Sequence, residues 1–286
     1  MINILLTGAN GFIGNYFQKK HGKQYNISTF SFQSDNLNKV DLTDIDTVIH
    51  LSALVHQMGG ASKEEYFRIN VDNTLALAHK AKESGVKQFI FMSSVKVSGE
   101  ESNTPYTETT KCEPQDDYGR SKLEAERQLL AIEDDSFVIS ILRTPIVYGY
   151  GVKANIQNLI KLIQKMPVLP FAKIKNRRSM VYLGNLCALM DTLCETRTRG
   201  VFLAGDDHSV STTEFIELIA NELHKNIYLV KIPFFETLLK VFKPSFHKRL
   251  YESLEVDNKH TKKVLNYRNP YSIGQGIHFM IHSEKK

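Results

Sequence analysis

The sequence predicts an α/β protein, a doubly wound parallel sheet with a smaller, mostly helical lobe. Three observations carry that expectation. Short apolar runs alternate with longer helical patterns through the first half, the rhythm of βαβ units. A glycine-rich stretch, TGANGFIG from Thr7 to Gly14, separates the first apolar run from the first helical pattern. After Gly149 the pattern shifts to shorter helices and loops, broken by Pro167, Pro170, Pro233 and Pro244. The sheet domain is expected over residues 1–150 and completed by about 180–205, leaving 151–179 and 206–286 for the lobe.

In chain order, strands are expected at Ile2–Leu6, Ile27–Phe32, Thr47–Leu51, Gln88–Met92, Val138–Leu142 and Val201–Ala204. Helices are expected near Phe12–His21, Lys63–Ser84, Ser121–Ile132 and Leu183–Glu195, with Gly85 as a C-terminal cap. The stretch from Phe32 to Asp46 is short for a further strand and crossover helix, since parallel neighbours need a dozen or more connecting residues. One of the two elements is expected to be trimmed, and the spacing does not say which. Tyr228–Phe246 mixes apolar and basic residues as a membrane-surface helix does. Its flanking prolines and the need to cover the lobe favour a buried helix instead.

Composition narrows the function classes. Net charge is only +5 over 286 residues, and the basic cluster Lys173–Arg178 suits a small anion. Nucleic-acid binding would ask for a longer basic stripe with aromatic partners. No apolar run approaches a membrane span, so no membrane insertion is expected. The three cysteines, Cys112, Cys187 and Cys194, form no CxxC pair, and no leader is read at the N-terminus. A cytoplasmic protein without a metal site is expected.

Glycine gives up the most backbone freedom on folding, so three in one turn call for a reason. A glycine-rich turn opening a helix presents bare N–H groups and the positive dipole end to a phosphate. A tight turn packed against the sheet would also call for small residues, so the motif alone does not decide. Three others follow in order: Val48-Ile-His-Leu-Ser-Ala53, Phe91-Met-Ser-Ser-Val-Lys-Val-Ser-Gly99 and Tyr118-Gly-Arg-Ser-Lys122. The last places Tyr118 and Lys122 on one helix face. A phenol with a pKa of about 10 is a poor acid–base catalyst at neutral pH. A neighbouring ammonium is expected to draw it down.

Taken together, these motifs resemble the extended short-chain dehydrogenase/reductase family across essentially the whole chain. The resemblance implies a Rossmann-type domain binding NAD(P), with Ser94, Tyr118 and Lys122 catalytic; Ser94 rather than Ser93 matches by its distance from Gly99. It places the cofactor along Gly8, Asn10, Gly11, Phe12, Ile13 and Gly14. Asp41, Leu42, Leu51, Ser52, Ala53, Asn70 and Pro145 join Tyr118 and Lys122 in that cofactor site. An acid at the end of the second strand marks NAD-specific members. Here the place reads Ser31-Phe-Gln-Ser34, with Asp35 late, so NADPH is favoured.

Leu142-Arg-Thr-Pro-Ile-Val-Tyr-Gly149 and Arg178-Ser-Met-Val-Tyr-Leu-Gly-Asn185 resemble the nucleotide-sugar epimerase/dehydratase/reductase group. His56 and Val152-Lys-Ala-Asn155 narrow this to a UDP-glucose 4-epimerase-like subgroup that contains UDP-4-keto-6-deoxy-N-acetylhexosamine 4-reductases for surface polysaccharides. The implied partner is a UDP-linked sugar held by Lys96, Asn155, Arg178 and Arg249. Lys96 and Ser98 stand where 4-epimerases usually show Thr and Tyr. The expected function is therefore reduction at C4, with 4-epimerisation as the alternative. A cofactor-sensing protein would be expected to lose Tyr118 or Lys122. A homodimer through the helices bearing Leu75, Leu77, Leu129 and Leu130 is also expected.

Overall fold

Apolar β-branched runs bounded by glycine and short polar turns give this chain central strands that are buried on both faces, beside a largely exposed edge strand at Asn26–Phe30. A computed structural model describes residues 1–55 and 61–283; His56 lies outside the described residues. Strand β1 (Asn3–Thr7) leads through the glycine turn into α1 (Phe12–His21), and β2 (Asn26–Phe30) follows. Next come β3 (Thr47–His50), α2 (Lys63–Phe67), α3 (Asn73–Glu83), β4 (Gln88–Ser94) and α4 (Asp117–Ala131). One turn of π-helix, Arg68–Asp72, joins α2 to α3, and Gly85 ends α3 at φ +83°. The amides of Gly85 and Val86 bond back to Lys82 O and Ala81 O, the expected cap.

The second half adds β5 (Val138–Thr144), β6 (Ile146–Tyr148), α5 (Ala154–Lys165), β7 (Val168–Leu169), β8 (Met180–Tyr182), α6 (Leu183–Thr196) and β9 (Gly200–Leu203). The lobe then runs through α7 (Thr212–Glu222), β10 (Tyr228–Leu229), α8 (Phe235–Phe242), α9 (Pro244–Tyr251), α10 (Lys259–Val264) and α11 (Ile273–His282).

Six parallel strands form the main sheet in the order β2-β1-β3-β4-β5-β9. The order reverses between β1 and β3, which opens a crevice at their carboxyl ends. A doubly wound sheet of order 3-2-1-4-5-6 carries one more strand outside β2. Both that strand and its helix are missing here, replaced by a single 3₁₀ turn at Leu37–Lys39. The choice between a trimmed strand and a trimmed helix resolves as the loss of both.

Two cores cover the sheet. Leu77, Ala78 and Ala81 of α3 and Ala125 and Leu129 of α4 pack on one face. Phe17 of α1 and Leu186 and Met190 of α6 pack on the other, continuous with Ile216 and Ile277 of the lobe. Leu77 and Leu129 are thus core residues, fully buried beneath their helices, and cannot form a dimer face. Leu130, by contrast, is exposed.

The segment Tyr228–Phe246 departs furthest from expectation. It is a short strand, then α8, then the start of α9, and no residue of α8 is fully buried. Phe235 and Leu239 turn inward, while Phe234, Leu238, Val241 and Phe242 are 85%, 55%, 67% and 74% exposed. Eight residues between two prolines make a helix with a broader apolar arc than the lobe beneath it can cover.

Candidate active site

Parallel pairing brings the strand ends level, so the loops after β1, β3, β4 and β5 leave one edge of the sheet. At that edge Gly8 holds φ +67°, and a Cβ on Gly14 would lie 2.4 Å from Gly8 O and 2.8 Å from Ala9 Cα. On Gly8 it would meet Leu51 C and Ser52 N at 3.0 Å. The glycines are therefore required to seat the turn against α1 and the end of β3. Helix α1 has no side-chain cap at Gly11 and no acid in its first turn. Its first amides, on Phe12, Ile13 and Gly14, precede the reach of any intrahelical acceptor and suit a diphosphate. Asn10 is exposed in the same turn.

Register pairs Thr7 with Phe30, which sets Ser31 beside Gly8. There the chain folds back, and Asp35 Oδ2 accepts from Ser31 N at 2.7 Å. A carboxylate thus stands at the end of β2 after all, four residues late in sequence. Its Oδ1 also accepts from Ser34 Oγ at 3.0 Å, so both oxygens are engaged within the turn, while its negative charge there disfavours a 2′-phosphate.

On β4, successive side chains face opposite ways. Ser93 Oγ donates to Glu126 Oε1 at 2.5 Å, whereas Ser94 hydrogen-bonds Tyr118. Tyr118 sits in the first turn of α4, whose cap Asp116 accepts from Gly119 N at 2.7 Å. Lys122 follows one turn later, 2% exposed, with Nζ 4.4 Å above the Phe91 ring and donating to Met92 O at 2.8 Å.

This set differs from the expected electrostatics. Burial pushes the Tyr118 phenol up to about 12, opposed by the Ser94 hydrogen bond and reinforced by Asp116. Burial also pulls Lys122 down to about 7 against the charge of Glu126. The expected downward pull of Lys122 on the phenol is not what sets Tyr118. Desolvation dominates, and the ammonium is tied to Met92 O.

Lys96 also differs from expectation. Its Nζ donates to Glu100 Oε1 at 2.6 Å and to Asp116 Oδ2. Burial would lower its pKa, but these two carboxylates outweigh that and raise it. So paired, the cation ties the end of β4 to the cap of α4. Asn70 is likewise committed. Its Oδ1 accepts from Leu54 N at 2.8 Å, and its Nδ2 donates to Leu54 O and Ser121 Oγ at 3.0 Å. It holds the loop after β3 against α4 from the π-turn. Asp41 is exposed and held below its ordinary pKa by Thr43, while Leu42 is buried in the core. Leu51, Ser52 and Ala53 line the edge half-buried, and Pro145 is buried where β5 passes into β6.

Three of the four expected substrate residues meet in one apolar-walled cleft of about 240 Å³, lined by Asn155, Arg178 and Arg249 with Ile146, Phe215 and Phe246 among others. Ile146 follows Pro145, so the cleft runs outward from the carboxyl edge. Burial lowers the Arg178 pKa, and the like charge of Arg249 lowers it further. Arg178 Nη1 donates to Glu252 O at 3.1 Å, and Arg249 has no ion-pair partner among the described residues. Two cations held together in this way suit a diphosphate.

A model described as the NAD dependent epimerase/dehydratase family matches residues 4–205. The chain belongs to that family. It is 36% identical to the UDP-glucose 4-epimerase of Vibrio cholerae, with 96% of this chain and 93% of that one covered. The solved UDP-N-acetylglucosamine 4-epimerase from Methanobrevibacter ruminantium M1 shares the fold at TM-score 0.80 and 21% identity, covering 99% of this chain and 97% of that chain. A dTDP-4-dehydrorhamnose reductase from Bacillus anthracis does so at 0.79 and 17%, with both chains fully covered. Membership makes this an NAD(P)-dependent nucleotide-sugar enzyme.

Sequence reasoning missed several supports of this family site. His50 bridges Thr7 Oγ1 at 2.9 Å and Thr74 Oγ1 at 3.0 Å, and burial lowers its pKa to about 3, so it stays neutral. Arg143 forks onto Glu126 with Nε at 3.1 Å and Nη2 at 2.7 Å, fixing the acceptor of Ser93. No local spacing announces either, because their partners lie on other strands or helices.

Proposed function

We propose that this chain is a 4-epimerase of a UDP-linked hexose or N-acetylhexosamine, using NAD and serving surface-polysaccharide synthesis. The observation that carries the reading is the Asp35 carboxylate, folded back onto Ser31 N just past Phe30, the strand partner of Thr7. It favours NAD over the NADPH that the sequence suggested. Lys96, paired with Glu100 and Asp116, lends reduction no free cation at the site, although its replacement of the usual Thr stands. The V. cholerae relative supports the same reading.

The glycine turn and the α1 amides would hold the cofactor diphosphate, with Asp35 beside the adenosine ribose. Bound there, NAD would supply the hydride acceptor and donor that exchange at C4 requires. Epimerisation needs Tyr118 as phenolate, its proton first released to solvent under the positive charge that bound NAD would bring. Tyr118 Oη would then take the C4 hydroxyl proton as the 4-keto sugar forms and give it back to the carbonyl oxygen after the sugar has turned. Ser94 holds that oxygen, and Lys122 binds beside the phenol. Arg178 and Arg249 clamp the diphosphate far from C4, leaving the sugar free to rotate.

A second reading, reduction of a nucleotide-linked 4-keto-6-deoxy-hexosamine, is favoured by the phenol itself. Held protonated at neutral pH, Tyr118 is ready to donate to a carbonyl. Incubation with UDP-N-acetylglucosamine and UDP-glucose plus NAD, beside UDP-4-keto-6-deoxy-N-acetylglucosamine plus NADH or NADPH, separates the two. Epimerisation predicts C4 isomers without net change in absorbance at 340 nm. Consumption of reduced cofactor with the keto sugar alone would favour reduction.

A further inference from the structure

The chain leaves one large apolar surface uncovered, and it lies beside the substrate cleft. Counted at 100° per residue, Phe234, Leu238, Val241 and Phe242 fall on one side of α8, while Phe235 and Leu239 lie toward the lobe. Phe234 stands 85% exposed at φ +60°, a conformation uncommon for an aromatic residue. Exposed Tyr228 and Ile232 precede the helix, and exposed Phe246 follows it. Lone exposed apolar residues are ordinary, but several on adjoining turns mark a binding surface.

Charge identifies the occupant. Lys231 and Lys243, next to exposed Ile232 and Phe242 at the two ends of the patch, are exposed and have no ion-pair partner among the described residues. Glu236 is the one acid in α8, and it lies 3.5 Å from His247 Nε2. An apolar face edged by unpaired lysines matches the interface of an anionic bilayer. A second copy fits less well, because a two-fold contact would press the same lysines together. No helix among the described residues is long and apolar enough to cross a membrane, so the contact is peripheral.

We propose that α8 and its flanks dock this enzyme on an anionic lipid surface. Phe246 belongs both to this face and to the lining of the Arg178–Arg249 cleft, so docking sets the cleft mouth beside the headgroups. The proposal goes beyond the choice between epimerase and reductase and depends on neither.

The chain has no tryptophan, so Phe242→Trp creates a single reporter at the centre of the face. Full-length protein is mixed with phosphatidylcholine vesicles, alone or with a quarter phosphatidylglycerol, and followed by co-sedimentation and tryptophan emission. The expected result is binding to the anionic vesicles with a blue shift and quenching by brominated lipid, weakened by salt. Phe234→Ser with Leu238→Ser, or Lys231→Gln with Lys243→Gln, should each lower partitioning at least tenfold. Melting temperature and turnover of a soluble UDP-sugar should stay unchanged. Unshifted emission, with the wild type left in the supernatant, overturns the proposal. So does a vesicle-independent oligomer that the Phe234→Ser, Leu238→Ser variant dissociates, because a second copy would then cover the face.

Discussion

The carboxyl edge of the sheet and the outer segment 228–246 invert the usual rule of burial in opposite ways. At the edge, charged and polar groups are buried, and nearly every one is held by a partner: Lys122 by Met92 O, Arg143 by Glu126, His50 by two threonines. In the outer segment, apolar groups are exposed beside lysines without partners. The edge is built around chemistry that needs groups fixed in a desolvated place. The outer segment is a surface whose complement lies outside the fold. Arg178 and Arg249 stand between the two, half-buried, two like charges held close together in one cleft.

The sharpest way to break this comparison is at its reacting atom. Tyr118→Phe should lower kcat by about 10²–10⁴-fold and leave the cofactor Kd nearly unchanged, since the phenol moves the proton and adds little binding surface. Isothermal titration with NAD beside steady-state kinetics tests this. A mutant keeping a tenth of kcat would remove Tyr118 from proton transfer.

Arg178→Ala should act next most strongly, raising KM for the nucleotide sugar about 10–100-fold with little change in kcat, from lost charge-assisted bonds worth about 1.5–3 kcal/mol. Arg178→Lys should recover part of that loss. A change confined to kcat would place the diphosphate elsewhere.

Lys96→Met tests whether this cation serves the substrate or the scaffold. As a tie between β4 and the α4 cap it should lower kcat severalfold, and Asp116→Asn should add little on top. A large rise in KM, additive with Asp116→Asn, would return Lys96 to the substrate.

The smallest expected effect concerns Lys122. Its folded pKa is depressed to about 7 from the ordinary 10.5. Below about pH 7 the lysine is charged in both states, and the folded protein bears the whole cost of burying it. Between about 7 and 10.5 the unfolded chain binds more protons, so stability rises with pH and the cost shrinks. Lys122→Met should therefore raise Tm by a few degrees at pH 6.5 and by less at pH 9.5, while activity falls. A gain that grows with pH would contradict the assignment.

Much of the edge was legible because its signals are local. The glycine turn and the Tyr118–Lys122 pair are fixed by spacing within one element, and strand alternation then separates Ser94 from Ser93. What escaped depends on contacts across the chain. Lys96 meets Asp116 twenty residues away, and Asp35 reaches the end of β2 only through a turn that folds back. Leu77 and Leu129 look alike in sequence whether they face a sheet or a partner helix. The exposure of α8 was unreadable for the same reason: an apolar arc does not announce what covers it. The two homodimer candidates that remain, Leu75 and Leu130, are a proposal for sedimentation to test.

The account turns on C4, and an isotope there tests it most directly. UDP-N-acetylglucosamine and UDP-glucose carrying deuterium at C4 are incubated with the enzyme and NAD, and the products are followed by NMR and mass spectrometry. The account predicts inversion at C4 with the deuterium retained in the product, because the same hydride leaves and returns. It also predicts no accumulation of reduced cofactor. A product inverted with loss of the label to solvent, or no change at C4 in either sugar, would contradict it.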